Sequence, residues 1–467
     1  MLLIFLLAGL AYGGFFAYKI YSVSKKITVN NETAPSFLQT IKAISTDNFK
    51  DLKSSSPNRI NILLLGIAGK GKPGQFLTDT IIIASVNTKT KQTAMLSIPR
   101  DLYVKIPETN FQTKINTVYQ LGLNDSKKDA SDPMAPLFSV IKNITSLDID
   151  YYAVLNFDGF RNAIDDIGGI NIINERDIYD ASYPGPNYSY EVFELKKGFH
   201  HLDGATALKY ARERHNDPQG DFGRAKRQQE VMQSAKNKIF SVGTLVNPKT
   251  LNDLLNTLGN NVVTNIAPQD LGIFYELEKK LDTQNIANVV IDAWNKDSLL
   301  KIAHFGQASV LIPRVGNWSE ARDLAQNIFD LNKLKRRREE IAKEDATILI
   351  MNKSGDPKIM AKLKKLLSEN LNYKNVIVAY NNEKILTEKT IVYDLTNGAK
   401  PFTSDELVTK LPATISYTAN PEYSGQKPDI IVVVGKDLIE KYNMEEGTLE
   451  DLNKSRDDQE SAAMIKD

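Results

Sequence analysis

The sequence predicts a layered first domain of mixed strands and helices, α/β or α+β, followed by a second, smaller α/β domain. An apolar segment precedes both. Three observations carry this reading. Short β-branched runs bounded by turn residues alternate with amphipathic stretches from residue 58 onward, and continuous apolar runs suit strands covered on both faces. A charged stretch at residues 336–345 separates this region from a shorter one with the same alternation. The first 18 residues, MLLIFLLAGLAYGGFFAY, carry no charge. A length of 467 residues, at roughly 150 per domain, and a hydrophobic content of 42% leave room for two or three real cores.

Residues 1–18 would form a helix of about 27 Å, near the hydrocarbon thickness of a bilayer, and are read as a transmembrane anchor. A cleaved signal peptide is the rival, but there is no basic leading region and no clear A-x-A site. Lys19, Lys25 and Lys26 follow the span, which alone would hold the downstream side in the cytoplasm, so a basic stub upstream of Met1 is expected. Residues 19–57 are polar and read as a stalk with one short helix around 36–44. NILLLGI (61–67), TIIIASVN (80–87) and QTAMLSI (92–98) are strands. Helices are expected near 114–122, 133–146, 158–167, 203–214 and 221–241. Weaker helices run to about 338, which places the first domain at 58–335 with its core at 58–245. KLKRRREEIAKE reads as a charged helical linker, and the second domain at 346–438 proceeds through ATILIMN, a helix at 357–369, VIVAY, TIVYDL, a helix at 403–410 and IIVVVGKD. The acidic, polar tail at 439–467 is expected to be disordered.

Charge and composition exclude several function classes. The 58 basic and 57 acidic residues leave a net charge of +1, so no general attraction to nucleic acid follows and anion recognition has to come from local clusters. There is no cysteine, hence no disulfide and no thiolate metal site. The four histidines show no H-x-x-x-H spacing, and no G-x-S-x-G elbow occurs. Gly66-Ile-Ala-Gly-Lys-Gly71-Lys72-Pro73 nearly matches a phosphate-binding loop, but Pro73 stands where a magnesium-binding hydroxyl is needed, and a strand follows instead of a helix. A glycine loop at a strand end, bordering a site, fits it better.

The informative stretch is YARERHNDPQGDFGRAKRQQ (210–229), with four arginines in sixteen positions. Asp221 is a suitable N-cap for the helix that follows. Met232, Ala235, Ile239 and Val242 form its apolar stripe, and stepping back by fours from Met232 brings Gln228 and Arg224 to the core-facing side. Lys226, Glu230, Gln233 and Asn237 fall on the opposite, solvated face. A buried guanidinium costs several kcal/mol without a partner, so Arg224 needs a carboxylate or a bound anion. Internal pairing to Glu213, Asp217 or Asp221 would satisfy one arginine. Several arginines and a glutamine converging on one loop, with Arg100 ending another strand at SIPRD, favour an anion site. The planar guanidinium fork suits a diphosphate.

These segments resemble the LytR-CpsA-Psr (LCP) family of membrane-anchored enzymes in bacterial cell envelopes. The resemblance is carried by TDTIIIASVNTKTKQTAMLSIPRDLYVKIP (78–107), KIN (114–116), FDGFRNAIDDIGGINI (157–172) and LDGATALKYARERHNDPQGDFGRAKRQQEVM (202–232), and covers about 57–245. Residues 346–438 are similar, more weakly, to the LytR-type C-terminal domain of some members. The resemblance implies an α-β-α sandwich outside the membrane, with a polyprenyl tail in an apolar channel and its pyrophosphate in an arginine cluster. By motif, Arg100, Arg212, Arg214, Arg224 and Gln228 are the pyrophosphate-binding residues and Asp79 is a magnesium ligand. Many members carry a second aspartate in a G-x-D turn; this chain has Ala68 there, and Asp101 could contribute instead.

The implied reaction transfers a polyprenyl-pyrophosphate-linked glycopolymer to a peptidoglycan hydroxyl, forms a phosphodiester and releases polyprenyl phosphate. Arg100 and Arg224 are expected to stabilise the transition state. Asp101 and Asp221 are candidates for the base only through their nearness to the arginines in sequence. The expected partners are the lipid-linked glycopolymer, peptidoglycan and the membrane, with no nucleic acid. The expected location is the bacterial cell membrane, single-pass, with the globular domains on the extracytoplasmic side. The alternative within the same site is a polyprenyl-pyrophosphate binder or pyrophosphatase without wall transfer, and the second domain is open to a wall-binding or partner role.

Overall fold

The computed structural model describes Ser22 and residues 54–439, apart from residues 130, 186–188, 215–216, 218, 240–246, 267–269, 271–273, 275–276, 278–279, 294–297, 306–307, 315–316, 380–385, 412 and 418–426. The apolar segment at 1–18, nearly all of the stalk and the tail beyond 439 lie outside the described residues, within which no helix is long and apolar enough to cross a membrane. The chain divides into two compact units at Trp294/Asn295, with Ile144–Ser146 grouped with the second.

The first unit is built on a mixed six-stranded sheet. Its strands are β1 (Arg59–Ile67), β2 (Thr78–Asn87), β3 (Gln92–Ser97), β6 (Tyr151–Asn156), β11 (Val262–Thr264) and β12 (Asp282–Val290), in the order β11-β6-β1-β2-β3-β12. Ile81, Ile82 and Ile83 are consecutive and all buried. Successive strand residues point to opposite faces, so both faces of this sheet are covered, as continuous apolar runs require. The helices are α1 (Ile115–Asp129), α2 (Ala135–Thr145), α3 (Phe157–Asp166), α4 (Gly204–Arg212), α5 (Gly220–Ile239) and α6 (Pro248–Asn261). Three two-stranded ribbons complete the unit: β4 (Tyr103–Lys105) with β5 (Gln112–Lys114), β7 (Ile170–Asn174) with β10 (Gly198–Leu202), and β8 (Ile178–Pro184) with β9 (Tyr190–Leu195).

Strand direction decides where the chemistry can gather. β1 runs parallel to β6 and antiparallel to β2, and β2 is antiparallel to β3. The C-terminal ends of β1, β3 and β6 and the N-terminal end of β2 therefore meet at one end of the sheet. Gly66 pairs with both Thr80 and Leu155 there. Asp79 at the start of β2, Arg100 just past β3 and Phe157 just past β6 share that end, where open sheets commonly bind ligands.

The region 248–313 departs from the sequence reading. Besides α6 and helical residues at Asp270, Phe274, Leu277 and Lys280, it holds strands that the reading did not expect: β11, β12 and a hairpin of β13 (Leu300–Phe305) and β14 (Ala308–Pro313). β12 reads DTQNIANVV, and only its last four residues pair in steady register with β3. Half of that strand carries no apolar signal, so periodicity could not reveal it.

The second unit carries α7 (Ser319–Gln326), α8 (Leu331–Glu344), β15 (Thr347–Asn352), α9 (Lys358–Lys365), β16 (Asn375–Ala379), β17 (Ile391–Asp394), α10 (Pro401–Lys410), β18 (Thr414–Ser416) and β19 (Ile430–Val434). Its sheet has the order β16-β15-β19-β17-β18. The expected charged linker corresponds to α8, which is packed against its own unit: Ile341 meets the core, and Arg337 pairs with Asp405 and, at 3.2 Å, with Glu406 of α10.

One close approach in the first unit bears on the site. A Cβ on Gly204, at the start of α4, would lie 2.0 Å from the Arg161 carbonyl of α3. Only a residue without a side chain lets α4 pack this near. Gly204→Ala should lower the unfolding free energy by about 1–3 kcal/mol, read by denaturant titration, because the obstruction is backbone and cannot rotate away.

Candidate functional site

At the converging end of the first sheet lies a cavity of about 130 Å³. Arg100, Arg212, Arg214, Arg224, Gln228 and Asp79 all line it. A smaller crevice shares Asp79, Arg100, Arg224 and Gln228 and continues along Ile81, Ile98, Phe222 and Val290. The cavity is thus cationic at one end and apolar at the other.

Each side chain is placed by its element. Arg100 donates from Nη1 to Asp79 Oδ1 at 2.6 Å, which ties the end of β3 to the start of β2. Asp101 stands behind it: one oxygen accepts Lys114 Nζ at 2.6 Å and the other lies 3.6 Å from Arg100 Nε, and Asp101 does not line the cavity. Arg212 ends α4, a helix capped by Asp203 through Thr206 N at 2.8 Å, and a helix C-terminus favours a cation. Its guanidinium sits 4.5 Å from the Phe157 ring centroid and 5.9 Å from that of Tyr183, so two aromatic faces hold it. Gln228 Nε2 donates to the Ala211 carbonyl at 3.3 Å, which links α5 to the end of α4.

The lining residues that the sequence reading did not select include Phe157, Asp180 and Tyr183. Asp180 is buried and accepts from Ser182 N at 2.9 Å and Ser182 Oγ at 3.1 Å. The Tyr183 hydroxyl is buried with no hydrogen-bond partner among the described residues, and burial pushes its pKa up to about 12. It remains a neutral donor at any physiological pH. Nothing in the sequence marks it, because its strand, IYDASYP, alternates irregularly between buried and exposed positions.

The fourth arginine of the 210–229 stretch behaves differently. Arg227 is as buried as Arg224, each 7% exposed, but it faces inward protein oxygens. Its Nε donates to the Tyr210 carbonyl at 3.0 Å, and its other nitrogens reach the Glu213 carbonyl, Glu213 Oε2 at 3.4 Å and Asp217. Asp217 also pairs with Arg176 at 2.7 Å, and a Cβ on Gly223 would fall 1.9 Å from its carboxylate. Glycine at that motif position therefore makes room for the ion pair. Gln229 adds a second tie, with Nε2 donating to Ser97 Oγ at 2.8 Å and to the Val289 carbonyl at 3.1 Å, which fixes α5 on β3 and β12.

Some details of α5 depart from expectation. The helix begins at Gly220, so Asp221 lies in its first turn instead of capping it, with its side chain outside what is described. The Asp217 carboxylate accepts Gln219 N at 2.8 Å just before the helix. The row facing the core is Arg227, Val231, Ala235 and Ile239: Ala235 and Ile239 are expected positions, Arg227 and Val231 stand one residue before Gln228 and Met232, Arg224 is buried as expected, and Val242 lies outside the described residues. Val231 and Met232 are both apolar, and a stripe this wide does not by itself choose between them. Glu230 is not on a solvated face: it accepts from the Tyr210 hydroxyl at 2.8 Å and from Ile173 N at 3.2 Å.

The glycine loop borders the site through Lys72, which pairs with Asp158 next to Phe157, while Gly69, Gly71 and Gly74 take the left-handed conformations of its turns. Among the described residues no cluster of three or more histidine or carboxylate groups could hold a metal. Arg227→Ala would remove the guanidinium that pairs with the Glu213 and Asp217 carboxylates, and should cost about 3–5 kcal/mol in a denaturant titration.

The sequence profile of the LytR_cpsA_psr family matches residues 16–305. TagU of Bacillus anthracis, named a polyisoprenyl-teichoic acid–peptidoglycan teichoic acid transferase, is 29% identical over 259 residues, spanning 56% of this chain and 76% of its own length. TagV of Bacillus subtilis, which carries the same activity in its name, is 30% identical over 296 residues, spanning 61% of this chain and 70% of its own. A crystal structure of B. subtilis TagV, 25% identical, covers 59% of this chain and 98% of that one with a TM-score of 0.46. The profile takes in well over half of the chain, including every residue of the arginine-lined cavity, and the protein belongs to the LytR_cpsA_psr family.

Proposed function

We infer that the chain is a transferase that moves a polyprenyl-pyrophosphate-linked glycopolymer onto peptidoglycan. The observation that carries this is the meeting of Arg100, Arg212, Arg214, Arg224 and Gln228 with Asp79 around one cavity, although β2, β3, α4, the loop after it and α5 supply them separately. The names of TagU and TagV supply the reaction class.

In this reading the arginines hold the two phosphates, and the lipid's first units enter the apolar crevice along Ile98, Phe222 and Val290. An acceptor hydroxyl oxygen bonds to the phosphorus next to the sugar. The bond from that phosphorus to the bridging oxygen breaks, polyprenyl phosphate departs, and the hydroxyl proton is lost. Negative charge spreads over the transferring oxygens, and fixed guanidinium groups in a partly enclosed cavity neutralise it without reorganising. Arg100 and Arg224 take the positions beside the transferring phosphorus, and Arg212 and Arg214 hold the diphosphate. Asp101, engaged by Lys114 and Arg100, braces Arg100 and is not assigned the base.

Magnesium fits this donor set through one carboxylate. Asp79, whose side chain is 31% exposed, offers oxygens beside the arginines, and Ala68 offers none. Magnesium commonly binds through one or two carboxylates plus substrate phosphates, so the ion would arrive with the diphosphate and neutralise part of its charge. The single-pass membrane location belongs to the same proposal and rests on the apolar residues 1–18.

Two substitutions test the reading. Arg224→Ala should lower transfer of a lipid-linked glycopolymer to wall fragments by at least about a hundredfold, with the thermal melt unchanged. Unimpaired transfer, or unfolding, would refute its role. Asp79→Asn should flatten the magnesium dependence of transfer more than it weakens lipid binding, and an unaltered magnesium response would remove Asp79 as the ligand.

A further inference from the structure

Among the described residues seven large apolar side chains are at least 55% exposed, and five of them, Ile173, Tyr179, Tyr190, Val192 and Phe199, fall within one stretch of two nested ribbons. The inner faces of these ribbons are accounted for, since Ile172, Ile178, Phe193 and Leu195 are buried in the core. The outer faces ought to be polar if they met only water. Instead Ile173 stands opposite Phe199, and Tyr190 stands opposite Pro184. Single exposed apolar residues need no explanation, but a group of them marks an interaction surface.

The location of this surface restricts what it can meet. β8 carries Tyr179 outward and also supplies Asp180, Tyr183 and Pro184 to the arginine-lined cavity. The ribbon is therefore the rim of the site. An acceptor whose hydroxyl reaches a phosphorus in that cavity has to cross a rim. The charge of the stretch is the second restriction: residues 173–199 contain five acidic and three basic side chains. That balance gives no attraction to an anionic lipid surface or to a polyanionic glycopolymer. Exposed aromatic rings interspersed with ion pairs, Glu191 with Lys209 at 2.7 Å and Glu194 with Lys196 at 2.6 Å, are suited to sugar rings, whose C–H faces pack on the aromatics and whose hydroxyls bond to the remaining carboxylate oxygens.

We propose that the outer face of the β8/β9 ribbon, with Tyr179 opposite Glu194 towards one end and Tyr190 opposite Pro184 at the other, is the platform for the uncharged sugar chain of the acceptor. This rests on the transferase reading and names the acceptor side of the same site.

The probe is a chitin tetrasaccharide, titrated into the full chain and followed by calorimetry, with wall glycan strands as acceptor in the transfer assay. The double substitution Tyr179→Ala/Tyr190→Ala should weaken tetrasaccharide binding about tenfold or more, and Tyr179→Phe/Tyr190→Phe should retain it, because stacking needs the ring and not the hydroxyl. In transfer, the alanine pair should raise KM for the glycan strands while kcat and lipid-donor affinity stay unchanged. Intact donor affinity also reports an intact fold. Equal tetrasaccharide binding by the wild type and the alanine pair would overturn the proposal, as would loss of binding to anionic lipid vesicles in place of the glycan. Glycan binding that depends on the tyrosines in a chain that transfers nothing would support the platform and remove the transferase reading alone.

Discussion

A buried guanidinium has to be answered by oxygen, and the site is organised by two buried arginines of one helix that take different places. Arg227 is satisfied by the protein itself, through the carbonyls of Tyr210 and Glu213 and the carboxylates of Glu213 and Asp217. It clamps the segment that ends α4 against the segment that begins α5. Arg224, three residues earlier and equally buried, lines the cavity. The order matters physically: the inward arginine fixes the loop, and the fixed loop holds Arg212, Arg214 and Arg224 around one volume. Without the clamp, like charges this close would favour a looser arrangement.

The sheet performs the same service from the other side. Parallel β1 and β6 flanked by antiparallel β2 and β3 place a strand start and three strand ends together, so Asp79, Arg100 and Phe157 arrive at the cavity from well-buried backbone. Arg100 is further braced between Asp79 and Asp101, and Asp101 is itself held by Lys114 of the K-I-N segment. A charge held on both sides loses little freedom when a ligand arrives, and this preorganisation is what electrostatic stabilisation of a transferring phosphoryl group requires. The motif positions SIPRD, KIN, A-R-x-R and G-R-x-x-R-Q-Q thus divide into groups that line the cavity and groups that hold those groups in place.

The cavity-lining arginines were legible because they sit in dense local motifs and because helix periodicity turns Arg224 and Gln228 inward. The sheet-forming runs of 58–98 and the helices of 114–241 were legible for the same reason: their periodic signals are strong and their ends carry turn chemistry. What could not be read depends on contacts between distant segments. Tyr183 and Asp180 reach the site on a short ribbon strand whose position is set by the fold and not by any pattern in ASYP. The separation of Arg227 from the other arginines needed the location of Asp217, Glu213 and the carbonyls around it. β12 was missed because a strand half composed of Asp, Thr, Gln and Asn gains its place by pairing with β3 and not by its own propensity.

The proton of the acceptor hydroxyl is the remaining chemical question, and the geometry narrows it. Asp101 does not line the cavity, and Glu213 is drawn toward Arg227. Asp79 is engaged by Arg100. Asp180 lines the cavity from the same strand as the exposed Tyr179, on the side from which a glycan crossing the ribbon would approach. Phosphoryl transfer through a loose transition state asks for little proton removal before the leaving group has largely departed, so positioning and charge neutralisation carry most of the acceleration. A site with many fixed cations, a neutral Tyr183 donor and one carboxylate on the acceptor side is consistent with that demand. Among the described residues no histidine lines the cavity, and His200 and His201 bond to the Lys196 carbonyl and Asn171 in the β7/β10 ribbon.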